Sequence, residues 1–430
     1  MLNCSNELFS QVRFGPETRL LADLLARYGL EDLIRHLVDS DQVAPLHQLV
    51  MAQQLRLTPL LAPRLFGILE ELCQRLSFDE PVHLYVMPGP QINAGALARL
   101  QDDDAHIISM TSAMVTSMTD DELRFALGHE LGHLGLRHAG VMIAYQLLAR
   151  SEDESENGSS KHKSRPQMLE RRLDKWNRLA EFSADRIGLL ACAGRLDVAV
   201  SAFFKMASGL GPEHLRFDLS AFLEQLEEIQ HLDRKEVLAR FSHPATPVRA
   251  RALQLFSEAG ASAAAAGAMA AVDEQVDAMA SLMDFEVSSD LGVQAREFLV
   301  SAGLLAAHAD GEISEAEQDA LIHLLLQVTG DPESHLSRIE DTEQARTMLR
   351  SACAWLRENT GQERFGLFGQ LAHIVAIDGL VTDAERAFMM EVALLLDVPE
   401  KSAREILHDV LSRYVQTKAG MAARMFGLRG

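Results

Sequence analysis

The sequence predicts a mainly α-helical chain of the α+β class with one small β-sheet, and three observations carry that prediction. Leucines recur three and four residues apart over 16–76, which is the spacing of helices with one buried face. Two short runs, VHLYVM at 82–87 and AHIISM at 105–110, have the branched, apolar character of β-strands. Aromatic residues make up only 6% of the chain, so its cores should be mostly aliphatic.

Length and charge limit the kind of molecule that this chain encodes. With 430 residues it is too long for one ordinary domain, so two or three domains are expected. Acidic residues outnumber basic residues 62 to 40, and the formal net charge is −22. Such a charge argues against a general binder of nucleic acid or of anionic membranes. We therefore predict no nucleic-acid partner.

Cysteine usage and hydropathy predict the compartment. The cysteines stand far apart without a CxxC pair, so neither a disulfide framework nor a thiolate zinc site is indicated. The first residues contain no apolar run of the kind that a secretory signal needs. No stretch reaches the roughly 20 apolar residues of a membrane-spanning helix. These observations predict a soluble, cytoplasmic protein without a membrane span.

The segment RFALGHELGHLGLRH at 124–138 carries the clearest chemical signal. Four residues apart on a helix, His129 and His133 project from one face, where two imidazoles can bind one zinc ion. Glu130 then lies about 100° round the helix, where it reaches a water at that ion without being a ligand. This arrangement is expected of a hydrolytic zinc site.

The helix that carries these residues should be buried and closely packed. A capping box at 119–122 predicts where it begins, and the residues around HELGH are apolar nearly all round. Gly132 and Gly135 each lower helix propensity by roughly 1 kcal/mol, which suggests close packing against another element. On a continuing helix His138 would be rotated about 140° from His133, so we expect it to be structural or exposed.

A third ligand is expected from RLAEFSADRIGLLA at 178–191, which has a helical, largely apolar pattern. Glu181 and Asp185 are four residues apart and share one face of that helix. Glu181 would fit as the third ligand, and Asp185 would fit as the acceptor of a ligand histidine N–H. The alternative is a pair of solvated surface acids, and spacing alone does not choose between the two.

HELGH followed by EFSAD resembles the M48 family of zinc metallopeptidases, which are gluzincins with an HExxH…ExxxD pattern. PQINAGAL at 90–97 looks like the family's segment before its edge strand, and FSHPATPVRARAL at 241–253 is similar to its late His-Pro…Arg segment. The likeness covers roughly residues 59 to 256. It implies a zincin-type metallopeptidase domain with Zn²⁺ as cofactor. The implied ligands are His129, His133 and Glu181, with Glu130 as the general base.

Two later residues fall on the family's His-Pro…Arg segment. His243 either caps a turn before Pro244 or enters the catalytic cleft, where it would bind the developing oxyanion or occupy the open zinc position as a latch. Arg249 resembles the family's late arginine and would support the ligands from behind. Its alternative is an exposed charge on the following helix.

Composition and a repeat predict the rest of the organisation. AGASAAAAGAMAA lies in a segment, 258–290, that has no clear apolar stripe, so we predict an Ala-rich linker there. The polar segment SEDESENGSSKHKSR at 151–165 predicts a surface loop. The expected domains are therefore 1–257, with N-terminal helices over 1–76, then the linker, then a helical domain at 291–415 and a tail at 416–430.

The helical domain contains a doubled motif, DGEISEAE and DGLVTDAE, that resembles the TerB domain named from tellurite-resistance proteins. The resemblance implies an all-α bundle and raises metal binding as one role for four acids, Asp310, Glu317, Asp378 and Glu385. The alternative is structural, because each Asp-Gly makes a turn and each glutamate completes a capping box.

Together these features predict a soluble zinc endopeptidase that cleaves protein or peptide substrates, with a role in quality control or a stress response. An exposed edge strand near 105–110 would align the substrate as an added strand. The TerB-like bundle would recruit a protein partner or substrate, or control access. The alternative is a latent or inactive metallopeptidase-fold scaffold that acts through the TerB-like domain. The sequence does not predict the oligomeric state.

Overall fold

The structure, a computed structural model, describes most of the chain. The described residues are 6–32, 34, 44–99, 104–138, 140–141, 164–231, 243–261, 266–287, 289–308, 315–377 and 379–425. They form two compact units, of which the first contains the described residues up to 141, 173–231 and 243–284. The second contains residues 164–172 and the described residues from 285 onward.

The first unit combines helices with a small sheet. Its elements up to the sheet are α1 Glu7–Val12, α2 Gly15–Tyr28, α3 Ala44–Gln53, β1 Leu55–Arg56, α4 Pro63–Arg75, β2 Val82–Met87, β3 Ala94–Leu97 and β4 His106–Thr111. After the sheet come α5 Ser112–Ser117, α6 Asp120–Gly135, α7 Ser164–Ala191, α8 Leu196–Ser208, α9 Leu219–Gln230, α10 Thr246–Ala261, α11 Ala266–Ala280 and a 3₁₀ turn at Ser281–Met283. Helix α7 begins within residues 164–172 and continues into this unit.

The four strands pair in the order β1-β2-β4-β3. Strands β2 and β4 are parallel, with Val82 opposite His106, while β1 and β3 are antiparallel to their neighbours. The prediction that 105–110 is an edge strand is therefore wrong, because β4 lies inside the sheet. The edge strands are β1 and β3, and β3 is the edge beside β4. Its AGAL sequence has little intrinsic strand preference and extends because it pairs with β4.

Helix α6 runs through the middle of the first unit. Thr119 accepts a hydrogen bond from the Glu122 N–H and Glu122 accepts one from the Thr119 N–H, so the predicted capping box is present. Most of the helix is buried in a core formed with α4, α8 and the sheet. Helix α6 ends at Gly135, and Arg137 has a φ of 64°, which turns the chain out of the helix.

The predicted linker at 258–290 is wrong over most of its described length. Residues 266–280 form α11, and Val272 and Val276 are buried with Phe14, Phe182 and Val248 in a core of the first unit. Alanine favours helix, and the two valines, four residues apart, supply a narrow apolar stripe that composition alone obscures. The boundary between the units falls between Asp284 and Phe285.

The second unit is helical apart from an isolated bridge. Its further elements are α12 Asp290–Ala307, α13 Glu315–Leu325, α14 Pro332–Ser337, α15 Thr342–Asn359, α16 Glu363–Ala376, α17 Asp383–Leu395 and α18 Glu400–Met425. Phe298, Phe368 and Met389 lie at the centre of its aliphatic core. Because α18 extends to Met425, the predicted tail from 416 is helical over its described part. Its lysine, alanine, arginine and methionine residues favour that state.

These elements confirm a mainly α fold with one small sheet and a second, helical unit. The predicted loop at 151–165 lies outside the described residues except for its last two, which begin α7.

Candidate metal centre

Three donor side chains converge where α6 and α7 cross. His129, His133 and Glu181 each offer a ligand atom, and these atoms lie within 4.8 Å of one another. The two Nε2 atoms are 3.0 Å apart, and His133 Nε2 is 3.3 Å from Glu181 Oε1. In the part of the chain that the structure describes, no other group of three or more His, Cys, Asp or Glu residues has donors so close.

Glycines allow the two helices to approach closely. A Cβ at Gly132 would lie 3.2 Å from Ala184 Cα, and a Cβ at Gly188 would lie 2.8 Å from the Phe125 carbonyl oxygen. The Phe9 ring of α1 fills the space where a Cβ at Gly135 would stand. The close packing predicted for Gly132 and Gly135 is therefore present, and it brings Glu181 to the histidines.

Asp185 and Arg249 lie directly behind the donors. Asp185 Oδ1 accepts a hydrogen bond from His129 Nδ1 at 2.9 Å. Arg249 donates to both oxygens of Asp185, from Nη2 at 2.6 Å and from Nε at 2.8 Å, and its Nη1 lies 3.2 Å from Glu181 Oε2. Only 11% of the Arg249 side chain is exposed, so the alternative of a surface charge does not describe it. The structure thus brings both predicted supporting residues to the candidate ligands.

This cluster of charges shifts the ionisation of its members. Burial alone would raise the pKa of Asp185, but the Arg249 guanidinium and the His129 hydrogen bond bring it below its usual value. Burial also opposes ionisation of Glu181, yet Arg249 and the histidines hold the pKa of Glu181 well below its ordinary range. Burial disfavours the charged form of His129, but Asp185 and Glu181 raise its pKa overall. Both carboxylates are therefore anionic at neutral pH.

The acceptor atoms that converge in the cluster fit a cation. In the neutral form of His129 that donates through Nδ1, Nε2 carries a lone pair that faces His133 Nε2. Oε2 of Glu181 is buried and accepts no hydrogen bond from the described residues, although Arg249 lies nearby. Converging buried acceptors are costly unless something positive lies between them. Two imidazoles and one carboxylate form the three-ligand set of a catalytic zinc site, so these residues fit that ion.

Glu130 and His243 flank the donors in different ways. Glu130 is buried, and its carboxylate makes no hydrogen bond or ion pair with the described residues, although its charge acts on Arg249. His243 precedes α10 with 60% of its side chain exposed, and its Nε2 lies 3.7 Å from Glu181 Oε1. Both therefore lie beside the predicted site, and His243 lies outside the donor group.

Sequence reasoning left His138 as structural or exposed and did not single out Glu17. The left-handed Arg137 ends the regular helix, and His138 lies against His133, with their Nδ1 atoms 3.0 Å apart. His138 is buried, and its edge meets the Trp176 ring at a centroid distance of 5.4 Å. Glu17 of α2 lies behind it. A helix extrapolated past residue 135 could not show this contact, and nothing in the sequence around Glu17 indicates it.

The acids of the doubled motif are only partly described. Asp310 and Asp378 lie outside the described residues, as does the start of the first capping box. Thr382 and Glu385 form the second capping box, as the structural alternative predicts. Burial and the nearby Glu317 carboxylate raise the pKa of Glu385. A metal role for these acids stays a prediction.

Comparison with known proteins gives two family matches and several relatives. Residues 59–257 match the model of peptidase family M48, and residues 296–408 match that of tellurite resistance protein TerB. The plastoglobule-localized metallopeptidase 48 of the Arabidopsis thaliana chloroplast is 31% identical over 201 residues, which cover 45% of this chain and 56% of that protein.

Two bacterial relatives match shorter stretches. Protease HtpX homologs of Trichormus variabilis and a Sulfurovum species are each 33% identical, over 17% and 19% of this chain and 24% and 28% of their own lengths. The chain therefore spans about half of the Arabidopsis relative and about a quarter of the bacterial ones. No solved structure matches. Among the described helices, none has both the length and the hydropathy that a bilayer crossing requires.

Proposed function

Because the chain combines a peptidase family M48 domain over residues 59–257 with a TerB domain over residues 296–408, we propose that it is a zinc-dependent endopeptidase acting on protein substrates. The observation that carries this proposal is the convergence of His129, His133 and Glu181 on one point between two buried helices. A surface pair of histidines would need no such convergence, nor the closely packed glycines that permit it.

The side chains around the donors divide the work of hydrolysis. A bound zinc ion would supply Lewis-acid polarisation and make a water more acidic. Glu130, one residue after the first ligand, would accept the proton of that water and deliver it to the leaving amine. Its carboxylate has no hydrogen-bonding partner among the described residues, so it is available for a water. Asp185 and Arg249 would hold His129 and Glu181 in place.

The edge of the sheet offers a place for an extended substrate. Strand β3 is one of the two edge strands of the described sheet, and it packs beside α6, which carries the two histidines. A peptide that pairs with β3 would have its backbone hydrogen-bonded along the strand and would run past the donor cluster. We therefore propose that residues 94–97, and not residues 105–110, align the substrate.

His243 belongs to this proposal as a residue of the cleft. Its side chain is exposed and its ring lies close to Glu181 without joining the donor group. That position favours a contact with substrate, such as a hydrogen bond to the developing oxyanion, over a fourth ligand that keeps the enzyme latent. The latent scaffold therefore remains the weaker candidate.

The TerB domain and the cellular compartment complete the proposed function. We propose that the helical unit recruits a protein partner or substrate, or controls access to the site, as expected for a separate unit with its own core. A soluble enzyme of the cytoplasm, with a role in quality control or stress, agrees with the cysteine usage. The Arabidopsis relative is named for the plastoglobule, so a plastoglobule location is the alternative.

A casein digest tests the proposed activity. The wild-type chain loaded with zinc should release peptides, a chelator should stop the release, and added zinc should restore it. Glu130→Gln should bind zinc as the wild type does and lose roughly 10²- to 10⁴-fold in kcat, because the amide cannot accept the proton.

Asp121→Asn is a matched control, since it replaces an exposed carboxylate of the same helix and should keep full activity. Cleavage that persists in Glu130→Gln would refute the assigned base. A zinc-loaded wild type that cleaves no protein substrate would favour the scaffold.

A further inference from the structure

The two candidate ligand histidines are held by different partners. A histidine that binds a metal through Nε2 usually donates its Nδ1–H to an acceptor that fixes the ring. For His129 that acceptor is the Asp185 carboxylate. For His133 the group in the same place is a second imidazole, that of His138, with the Nδ1 atoms 3.0 Å apart.

A neutral imidazole can accept at Nδ1 only if its own proton is on Nε2. The Nε2 atom of His138 is buried and has no hydrogen-bonding partner among the described residues that meets ordinary geometry. It faces Glu17 Oε1 at 3.5 Å, a distance at which the carboxylate attracts an N–H and repels a lone pair. Glu17 therefore favours the tautomer in which His138 accepts from His133.

Glu17 is fixed in this position by four donors. Arg13 donates to both of its oxygens, at 2.5 and 2.7 Å, and Trp176 Nε1 and Ser183 Oγ donate at 3.2 and 3.0 Å. The carboxylate is completely buried, and its neighbours hold its pKa below the ordinary value against the effect of burial. Two of the donors belong to α7, the helix that also carries Glu181.

We propose that Glu17 is a positioning residue that acts through His138 to fix the tautomer and ring orientation of His133. The inference rests on the proposed function in one respect, namely that His133 binds the metal. Helix α2, which lies outside the segment that matches the peptidase family, would then complete the metal centre. The competing explanation is that Glu17 only anchors α2 on α7.

A measurement of zinc affinity distinguishes a positioning role of Glu17 from a role that only anchors α2 on α7. We would measure it by competition with a chromophoric chelator on the full-length protein, alongside urea unfolding of the metal-free chain. Glu17→Gln should weaken zinc binding roughly 10- to 100-fold, the usual effect of removing an outer-sphere partner. Its amide N–H₂ can donate to His138 Nε2, which favours the wrong tautomer.

Asp273→Asn is the matched control. Asp273 accepts hydrogen bonds from Gly15 N of α2 at 2.9 Å and from Arg186 of α7 at 2.6 Å, so it joins the same two helices without touching His138. It should lower the free energy of unfolding of the metal-free chain and leave zinc affinity within about two-fold. Equal losses of affinity in Asp273→Asn and Glu17→Gln would show that anchoring alone matters and would overturn the proposal.

Variants of His138 keep the test decisive if Glu17→Gln does not fold. His138→Gln retains an amide oxygen that can accept from His133, whereas His138→Leu does not, so only the leucine variant should lose zinc affinity at least ten-fold. In the His138→Leu background, Glu17→Gln should have no further effect on zinc binding. Equal zinc affinity in the leucine and glutamine variants would refute the role of His138.

Zinc binding by His129→Ala distinguishes a failure of the proposed function from a failure of the positioning role of Glu17. If His129→Ala binds zinc as tightly as the wild type, the donor cluster is not the metal site and the proposed function fails. If His129→Ala loses zinc while Glu17→Gln retains it, the metal site stands and only the positioning role is wrong.

Discussion

Replacing Gly188 with alanine should open the metal centre without changing any residue proposed to bind metal. The new Cβ would lie 2.8 Å from the Phe125 carbonyl oxygen, whereas ordinary contacts begin near 3.4 Å. Neither atom can rotate away, because the Phe125 oxygen belongs to the backbone of α6 and the new Cβ is bonded directly to the backbone of α7. Helices α6 and α7 must therefore separate by about 0.6 Å, while metal–ligand distances tolerate only about 0.2 Å.

Two free-energy terms oppose each other in this variant. Alanine favours helix over glycine by about 1 kcal/mol, and overpacking a filled interface costs about 1–3 kcal/mol. We expect the metal-free chain to lose up to about 2 kcal/mol in urea unfolding. Zinc affinity should fall at least roughly ten-fold, since Glu181 moves with α7 and the histidines stay with α6.

Gly67→Ala provides the control for helix propensity. Gly67 lies within α4, and a Cβ there would have no atom within 4 Å. This variant should therefore gain about 0.5–1 kcal/mol and bind zinc normally. If Gly188→Ala gained stability in the same way and kept its zinc affinity, the close approach of α6 and α7 would not be what forms the site.

Two further predictions concern the cleft and the response to acid. His243→Ala should lower kcat of casein cleavage roughly 10²- to 10³-fold with little change in KM, as expected for loss of an oxyanion donor, and a rise in activity would identify a latch instead. Burial would raise the pKa of Glu80, but hydrogen bonds from Arg137 and His106 lower it to about 2. Its contribution to stability is thus complete above the ordinary carboxyl pKa and is lost as the pH falls toward 2. In urea unfolding with chelator, Glu80→Gln should be less stable than the wild type at pH 7, and the difference should shrink at pH 3. A constant difference would refute the assigned pKa.

The sequence predicted the parts of this protein that depend on local spacing. The capping box at Thr119 and Glu122 fixed the start of α6, and the i, i+4 histidines share a face because the helix is regular there. Glu181 and Asp185 could be placed on one helix face by the same rule. Whether that helix met α6 was beyond spacing alone, and the resemblance to the M48 family supplied that step.

The parts that were missed depend on contacts between distant segments. AGAL at 94–97 extends because it pairs with β4, although alanine and glycine have little strand preference. Helix α11 is stable because Val272 and Val276 reach a core that the linear pattern does not display. The contact of His138 with His133 follows a single left-handed residue, Arg137. This backbone conformation is uncommon for residues other than glycine.

The candidate metal centre therefore depends on more of the chain than the segment that matches the peptidase family. Residues 59–257 contain all three donors, but Phe9 fills the space beside Gly135 and Glu17 lies behind His138. Both lie outside that segment, on α1 and α2. Because a metal site is only as rigid as the residues that pack behind its ligands, a fragment cut at the family boundaries would keep the donors and lose part of what orients them.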